Sequence, residues 1–176
     1  QTLAMASGLM VGSQKFGTGY WNQYSPRAVF SIRALVLVGV YFLLSMYYFG
    51  ASFDIHGITR LAEIPTLLAI LVPFLLSSCF IGIWLGSILP RRELVTIIIL
   101  ISSMPLIFSA GFIWPIEMIP APMVWVSSLF PSTSGIQAFV SVNQLGGHWN
   151  QIASQWTQLW LQTLGWGALA FWSFKK

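Results

Sequence analysis

Charge is missing from this chain over distances that a water-soluble fold does not tolerate. No Asp, Glu, Lys or Arg occurs between Arg33 and Asp54, between Glu63 and Arg91, or from Leu94 to Ile116. These intervals hold ALVLVGVYFLLSMYYFGA (34–51), PTLLAILVPFLLSSCFIGIWLGSIL (65–89) and LVTIIILISSMPLIFSAGFI (94–113), and a fourth apolar run covers 152–174. A spanning helix needs about 20 mostly apolar residues. Only 7% of the 176 residues are charged and the mean hydropathy is +0.77, against about 25% charge in soluble domains. Lipid is therefore the solvent. The chain reads as an all-α, polytopic membrane helix bundle with four complete transmembrane helices. Its first dozen residues read as the tail of one truncated helix, so the whole of 1–176 forms a single transmembrane domain within a longer protein.

The net charge of +4 does not make a nucleic-acid protein, because the basic residues are scattered between apolar runs and form no stripe. The one cysteine, Cys79, excludes an internal disulfide. No charged segment precedes the first apolar run, so no secretory signal is read there. Lysine and arginine collect in short cytoplasmic loops. Alternating the spans puts Lys15, Arg27, Arg33, Arg91, Arg92, Lys175 and Lys176 on one side, and Arg60 with Asp54, Glu63 and Glu117 on the other. The carboxyl terminus is expected in the cytoplasm.

The stretch GFIWPIEMIPAPMVWVSSLFPSTSGIQAF (111–139) is apolar, yet prolines break it at Pro115, Pro120, Pro122 and Pro131. Pro120 and Pro122 suit the opening of a short helix over 123–130, which Pro131 would end. Ser132 or Thr133 can cap a second one, closed by Gly146-Gly147. Such pieces are roughly 12 to 20 Å long, too short for about 30 Å of hydrocarbon. A helical hairpin over 114–147 that dips in from the outer face and returns is the reading that follows. It either guards the outer end of a pathway or seals the bundle as a cap. Glu117 is its single carboxylate; it is either a hydrated headgroup-level acid or a group that handles substrate or protons.

Before the first complete span, SQKFGTGYWNQYSPRAVF (13–30) spaces Phe16, Tyr20 and Tyr24 four residues apart, one aromatic face of a short helix. Gln14, Lys15, Thr18 and Asn22 form its polar face. Ser25 is placed to cap the next helix with Pro26 at its first position. Such a segment suits lipid headgroups or a groove on a soluble partner. In the last span, Trp149 and Trp172 sit near the two ends, where indoles favour the headgroup level. Trp156, Trp160, Trp166, Gln155, Gln158 and Gln162 are expected to face other helices as packing.

Taken in order, these features resemble the permease subunits of type-2 ABC exporters, over nearly the whole chain. The likeness rests on SQKFGTGYWNQ where that family has its cytoplasmic coupling helix, and on LPRRELVTIIILISSMPLIFSAGFIWPIEMIP around the fifth span. It extends to LFPSTSGIQAFVSVNQLGG as the re-entrant segment, and to one last span with a basic tail. This chain departs in one respect, since its coupling segment carries Lys15 as its only charge, where the family has runs of Arg and Glu. The resemblance implies the C-terminal half of a permease in the bacterial inner membrane, paired with a second permease subunit and served by a separate ABC ATPase subunit. It implies a coupling helix at 13–24 with Gln14, Lys15, Thr18 and Trp21 toward the ATPase. It also implies an outer gate around Trp114, Pro115, Glu117, Pro131, Thr133 and Gln137, for export of amphipathic, drug-like or lipid-like molecules.

No Gly-x4-Gly-Lys-Ser/Thr phosphate loop and no His-Glu-x-x-His metal motif occurs, so no cofactor, metal or catalytic set is expected. An ion-coupled secondary transporter ranks second, because no charged residue is read inside a complete span. A membrane scaffold without transport is the remaining alternative.

Overall fold

The computed structural model describes residues 1–15, 24–59, 61–111, 113–114 and 116–174. Among them every regular element is helical. In order these are α1 (Thr2–Lys15), α2 (Pro26–Met46), which continues as a π-helical turn over Tyr47–Ser52, and the single turn α3 (Phe53–Ile55). Then come α4 (Ile64–Ile88), α5 (Glu93–Phe108), a 3-10 turn over Ile116–Met118, α6 (Ala121–Ser127), α7 (Pro131–Asn143) and α8 (Trp149–Phe174).

Two stretches are long and apolar enough to cross a membrane, Arg27–Ser52 and Ile64–Ile88. The other two expected spans differ from these in opposite ways. α5 is apolar, but its 16 residues reach only about 24 Å. It ends at Phe108, with Ser109 at the cap, its N–H and hydroxyl both on the Pro105 carbonyl at 3.0 and 2.7 Å. Gly111 follows at φ 77°, a left-handed residue of the kind that ends helices. α8 is long at 26 residues, but carries Gln151, Gln155, Gln158 and Gln162.

The start of α2 follows its local chemistry. The Ala28 N–H donates to Ser25 Oγ at 3.4 Å, with Pro26 in the first turn. The helix therefore opens well before the uncharged interval, which corrects one expectation: a spanning helix does hold a charge. Arg33 lies inside α2 and is only 5% exposed. Its Nη1 donates to the Met10 carbonyl at 3.3 Å and to Gln14 Oε1 at 2.9 Å. A cation at the C-terminal end of α1 also meets the negative end of that helix's dipole.

The centre of the bundle is α4, which touches α1, α2, α5, α7 and α8 and buries Ile70, Leu71, Leu75, Cys79 and Ile83. Its contact with α1 depends on absent side chains. A Cβ on Gly82 would run into Ser7 Oγ and the Ala4 carbonyl, and one on Gly86 into the Gly8 carbonyl. Small residues let membrane helices approach this closely. Ser7 Oγ adds a bond to the Cys79 carbonyl at 3.1 Å.

The ends of the bundle differ. One gathers the finish of α1, the start of α2 and the finish of α8, where Phe30 packs edge-on against Phe171 and Phe174; Arg92 joins it over Gly12. This is the basic end. The opposite side is built on the hairpin α6–α7, where Phe139 of α7 stacks on Phe49 of the π-helical turn at 5.2 Å and meets Phe74 of α4.

The hairpin's pieces are shifted from their expected bounds. The first short helix ends at Ser127, not Phe130, and Pro131 opens the second helix instead of closing the first. Phe130 occupies the cap position without a side-chain bond. Neither Ser132 nor Thr133 caps α7: proline at the first helical position already supplies the fixed φ and lacks the orphan N–H, and the Thr133 hydroxyl is used elsewhere.

Candidate functional site

A hairpin turn within an apolar bundle must dispose of its free carbonyl groups, since an unpaired buried C=O costs about 1–3 kcal/mol. Here three consecutive carbonyls at the α6–α7 turn each accept from a side chain, the Ser127 one in addition to the Phe130 N–H at 3.0 Å. Thr133 Oγ1 donates to the Ser127 carbonyl at 2.8 Å. Gln158 Nε2 and Gln162 Nε2 both donate to the Ser128 carbonyl, at 2.8 and 2.7 Å. Trp166 Nε1 donates to the Leu129 carbonyl at 3.1 Å. Gln158, Gln162 and Trp166 follow at four-residue spacing, so they form one stripe on α8. They sit midway along that helix, and the turn is therefore halfway down the bundle.

The side chains around the turn are packed to hold it. Gln162 is 9% exposed, with Nε2 also 3.5 Å from Ser134 Oγ; its Oε1 has no hydrogen-bond partner. Gly135, one turn into α7, faces Phe74 so closely that a Cβ would lie 2.5 Å from the ring. Gln137 Nε2 reaches past the turn and donates to the Ala110 carbonyl at 3.1 Å, tying α7 to the exit of α5. Gln137 and Gln155 line a cavity of about 300 Å³ there, together with Ala110, Gly111, Ser141 and Leu145.

α8 mends a second break in the same manner. Pro73 lacks an N–H, so the Ala69 carbonyl one turn earlier in α4 loses its helical donor. Trp156 Nε1 fills that place at 3.0 Å. Ser77 Oγ donates to the Pro73 carbonyl at 2.8 Å, and Thr163 Oγ1 lies 3.0 Å from the same oxygen.

The residues expected to form a gate are distributed unevenly. Pro131 and Thr133 are buried at the turn, and Gln137 stands at the α5 exit. Trp114 and Glu117 are exposed on the connection between α5 and α6, and Pro115 lies outside the described residues. Of the expected ATPase-facing group, Gln14 is bonded to Arg33 and Lys15 closes α1. Thr18 and Trp21, with the rest of the 16–23 segment, lie outside the described residues. Sequence reasoning assigned Gln158, Gln162, Trp156 and Trp166 to packing and so missed what they do. The signal was the four-residue spacing of 158, 162 and 166, opposite a proline-broken segment with carbonyls to satisfy.

Long apolar helices around a hairpin whose free carbonyls are satisfied from within define an integral membrane helix bundle. Residues 22–172 match the ABC-2 family transporter proteins. The chain belongs to that family, the membrane component of ABC-type transport, which implies an ABC ATPase as partner. No curated protein and no solved structure matches the chain.

Proposed function

We propose that this chain is the membrane-spanning half-transporter of an ATP-driven exporter, with the α6–α7 hairpin as a re-entrant outer gate. α2, α4, α5 and α8 are its four spans and the basic end faces the cytoplasm, in keeping with the distribution of lysine and arginine. The segment at 13–24 is the coupling helix that receives an ATPase subunit, and two permease subunits pair in the bacterial inner membrane. The substrate is amphipathic or lipid-like. Closure of the ATPase pair moves 13–24 and α1, and the spans rock as rigid bodies. One observation carries the reading of the hairpin as a moving part. Its turn stops midway along α8 and is held there by three side-chain donors, Gln158, Gln162 and Trp166, on Ser128 and Leu129. Irregular backbone at such depth is tolerated where protein or a cavity surrounds it, and bonds of this kind can be exchanged.

The test starts with the full-length protein purified from its native membrane. An ATP-binding subunit is expected in equal amount, and its loss when Lys15, Thr18 and Trp21 are replaced together locates the coupling helix. In the reconstituted pair, a disulfide between Ser128→Cys and Gln162→Cys is expected to stop ATP-dependent release of an amphipathic dye, and a reductant to restore it. Release that continues through the locked hairpin would remove the gate.

A further inference from the structure

Arg33 stands about 10 Å along α2 from Pro26. A long basic side chain near the end of a span ordinarily extends its head to water, but this one is 5% exposed and turned against α1. Its Nη1 bonds to the Met10 carbonyl and to Gln14 Oε1 reach residues four apart, so they grip one face of the last turns of α1. Beside them, Val11 is buried in one apolar cluster with Ala34 and Leu37 of α2. Apolar packing thus already joins the two helices, and cohesion alone does not call for a buried cation, which is costly to take out of water. An ionisable group held inside a span is a candidate for function. Gln14 also directs its side-chain oxygen inward, to α2, and not to a partner's surface.

The grip lies at a junction. α1 ends at Lys15 and α2 begins at Pro26, so these two helices lead into and out of the segment between them. The 21 residues of α2 run about 32 Å. At the far end the helix continues into the π-helical turn whose Phe49 lies flat on Phe139 of α7, with 5° between the rings.

We propose that Arg33 is a positioning residue for transport. It clamps α1 to α2, so that a push on the segment between them moves both helices together and reaches the hairpin through α2. Without the clamp the two helices splay, and the push is absorbed before α2 transmits it. The clamp presupposes the exporter reading and places Gln14 within it, not on the ATPase surface. A planar guanidinium with several donors suits two acceptors on one helix face better than the point charge of a lysine does.

The full-length protein is reconstituted with its ATP-binding subunit, and amphipathic dye released per ATP hydrolysed is measured. Arg33→Gln and Gln14→Arg each break the pair, and the two together exchange donor and acceptor in a double-mutant cycle. For Arg33→Gln the ATP-binding subunit is expected in equal amount and ATP is still hydrolysed. Dye per ATP should fall about tenfold, within the usual range for coupling between two sites. The exchanged pair should recover most of that loss. A wild-type ratio in Arg33→Gln, or release and hydrolysis that fall in step, would overturn the clamp while leaving the exporter. Should Arg33→Gln fail to fold, Gln14→Leu decides, since it removes one acceptor and leaves the Met10 carbonyl. A ratio below wild type then supports the clamp, and a wild-type ratio refutes it. A wild-type preparation without an ATP-binding subunit would remove the exporter reading itself, and the clamp with it.

Discussion

The two faces of α4 are built on opposite chemistry. Toward α1 it presents Gly82 and Gly86, and the two backbones touch where side chains are absent. Toward α8 it presents the turn interrupted by Pro73, and the contact is stitched by the Trp156 indole on the freed Ala69 carbonyl and the Thr163 hydroxyl on the Pro73 carbonyl. The hairpin turn extends that second style of contact through Gln158, Gln162 and Trp166. A glycine contact has one geometry and is lost when either helix shifts by the width of a methyl group. A side-chain bond to a carbonyl tolerates small shifts of either helix, because the side chain's own torsions can follow them. The α1–α4 contact thus rests on close backbone approach, and the α8–hairpin contact on side-chain hydrogen bonds.

The largest effect should come from breaking the glycine face. Gly82→Leu puts a side chain where Ser7 Oγ and the Ala4 carbonyl lie, and its overpacking costs about 3 kcal/mol or more. The expected outcome is loss of the monodisperse peak in detergent size-exclusion chromatography. A normal peak would mean that the α1–α4 contact is loose.

On the other face, Gln158→Leu or Gln162→Leu alone should cost about 0.6 kcal/mol, the mean for hydrogen bonds between membrane helices. Each leaves the other amide on the Ser128 oxygen. The double replacement strands that carbonyl and should cost about 2 kcal/mol. Unfolding in mixed micelles measures this excess over the sum; simple additivity would show that the amides act separately.

Trp156→Phe should cost about 1 kcal/mol, because the Ala69 carbonyl loses its donor. In a Pro73→Ala background the backbone N–H returns to Ala69 and the same replacement should cost almost nothing. An equal loss in both backgrounds would make Trp156 a packing residue only. Smallest of all, Glu117→Gln, at an exposed position, should leave stability within about 0.5 kcal/mol. A thermal shift beyond that in detergent would place Glu117 in contacts that the fold does not give it.

Much of this bundle was legible beforehand for local reasons. The Ser25-Pro26 start of α2 and the pair of short helices inside 114–147 are written in residues adjacent in sequence. Bounds were less legible where two local signals competed. Pro131 can end one helix or open the next, and only the packing of Phe130 and Gly135 against α8 and α4 selects the second. Arg33 was read as the flank of a span because charge was the sole criterion. α2 takes it inside because Met10 and Gln14 of α1 supply acceptors across 23 and 19 residues.

What the sequence determined by itself is the solvent and the breaks: uncharged intervals demand lipid, and prolines forbid a continuous helix between 111 and 139. What only the tertiary structure decided is who serves the broken backbone. The donors lie 30, 34 and 37 residues from the hairpin carbonyls, and 87 from the one in α4. Such pairings depend on which faces of two helices meet. That is set by packing over the whole bundle and leaves no mark on neighbouring residues.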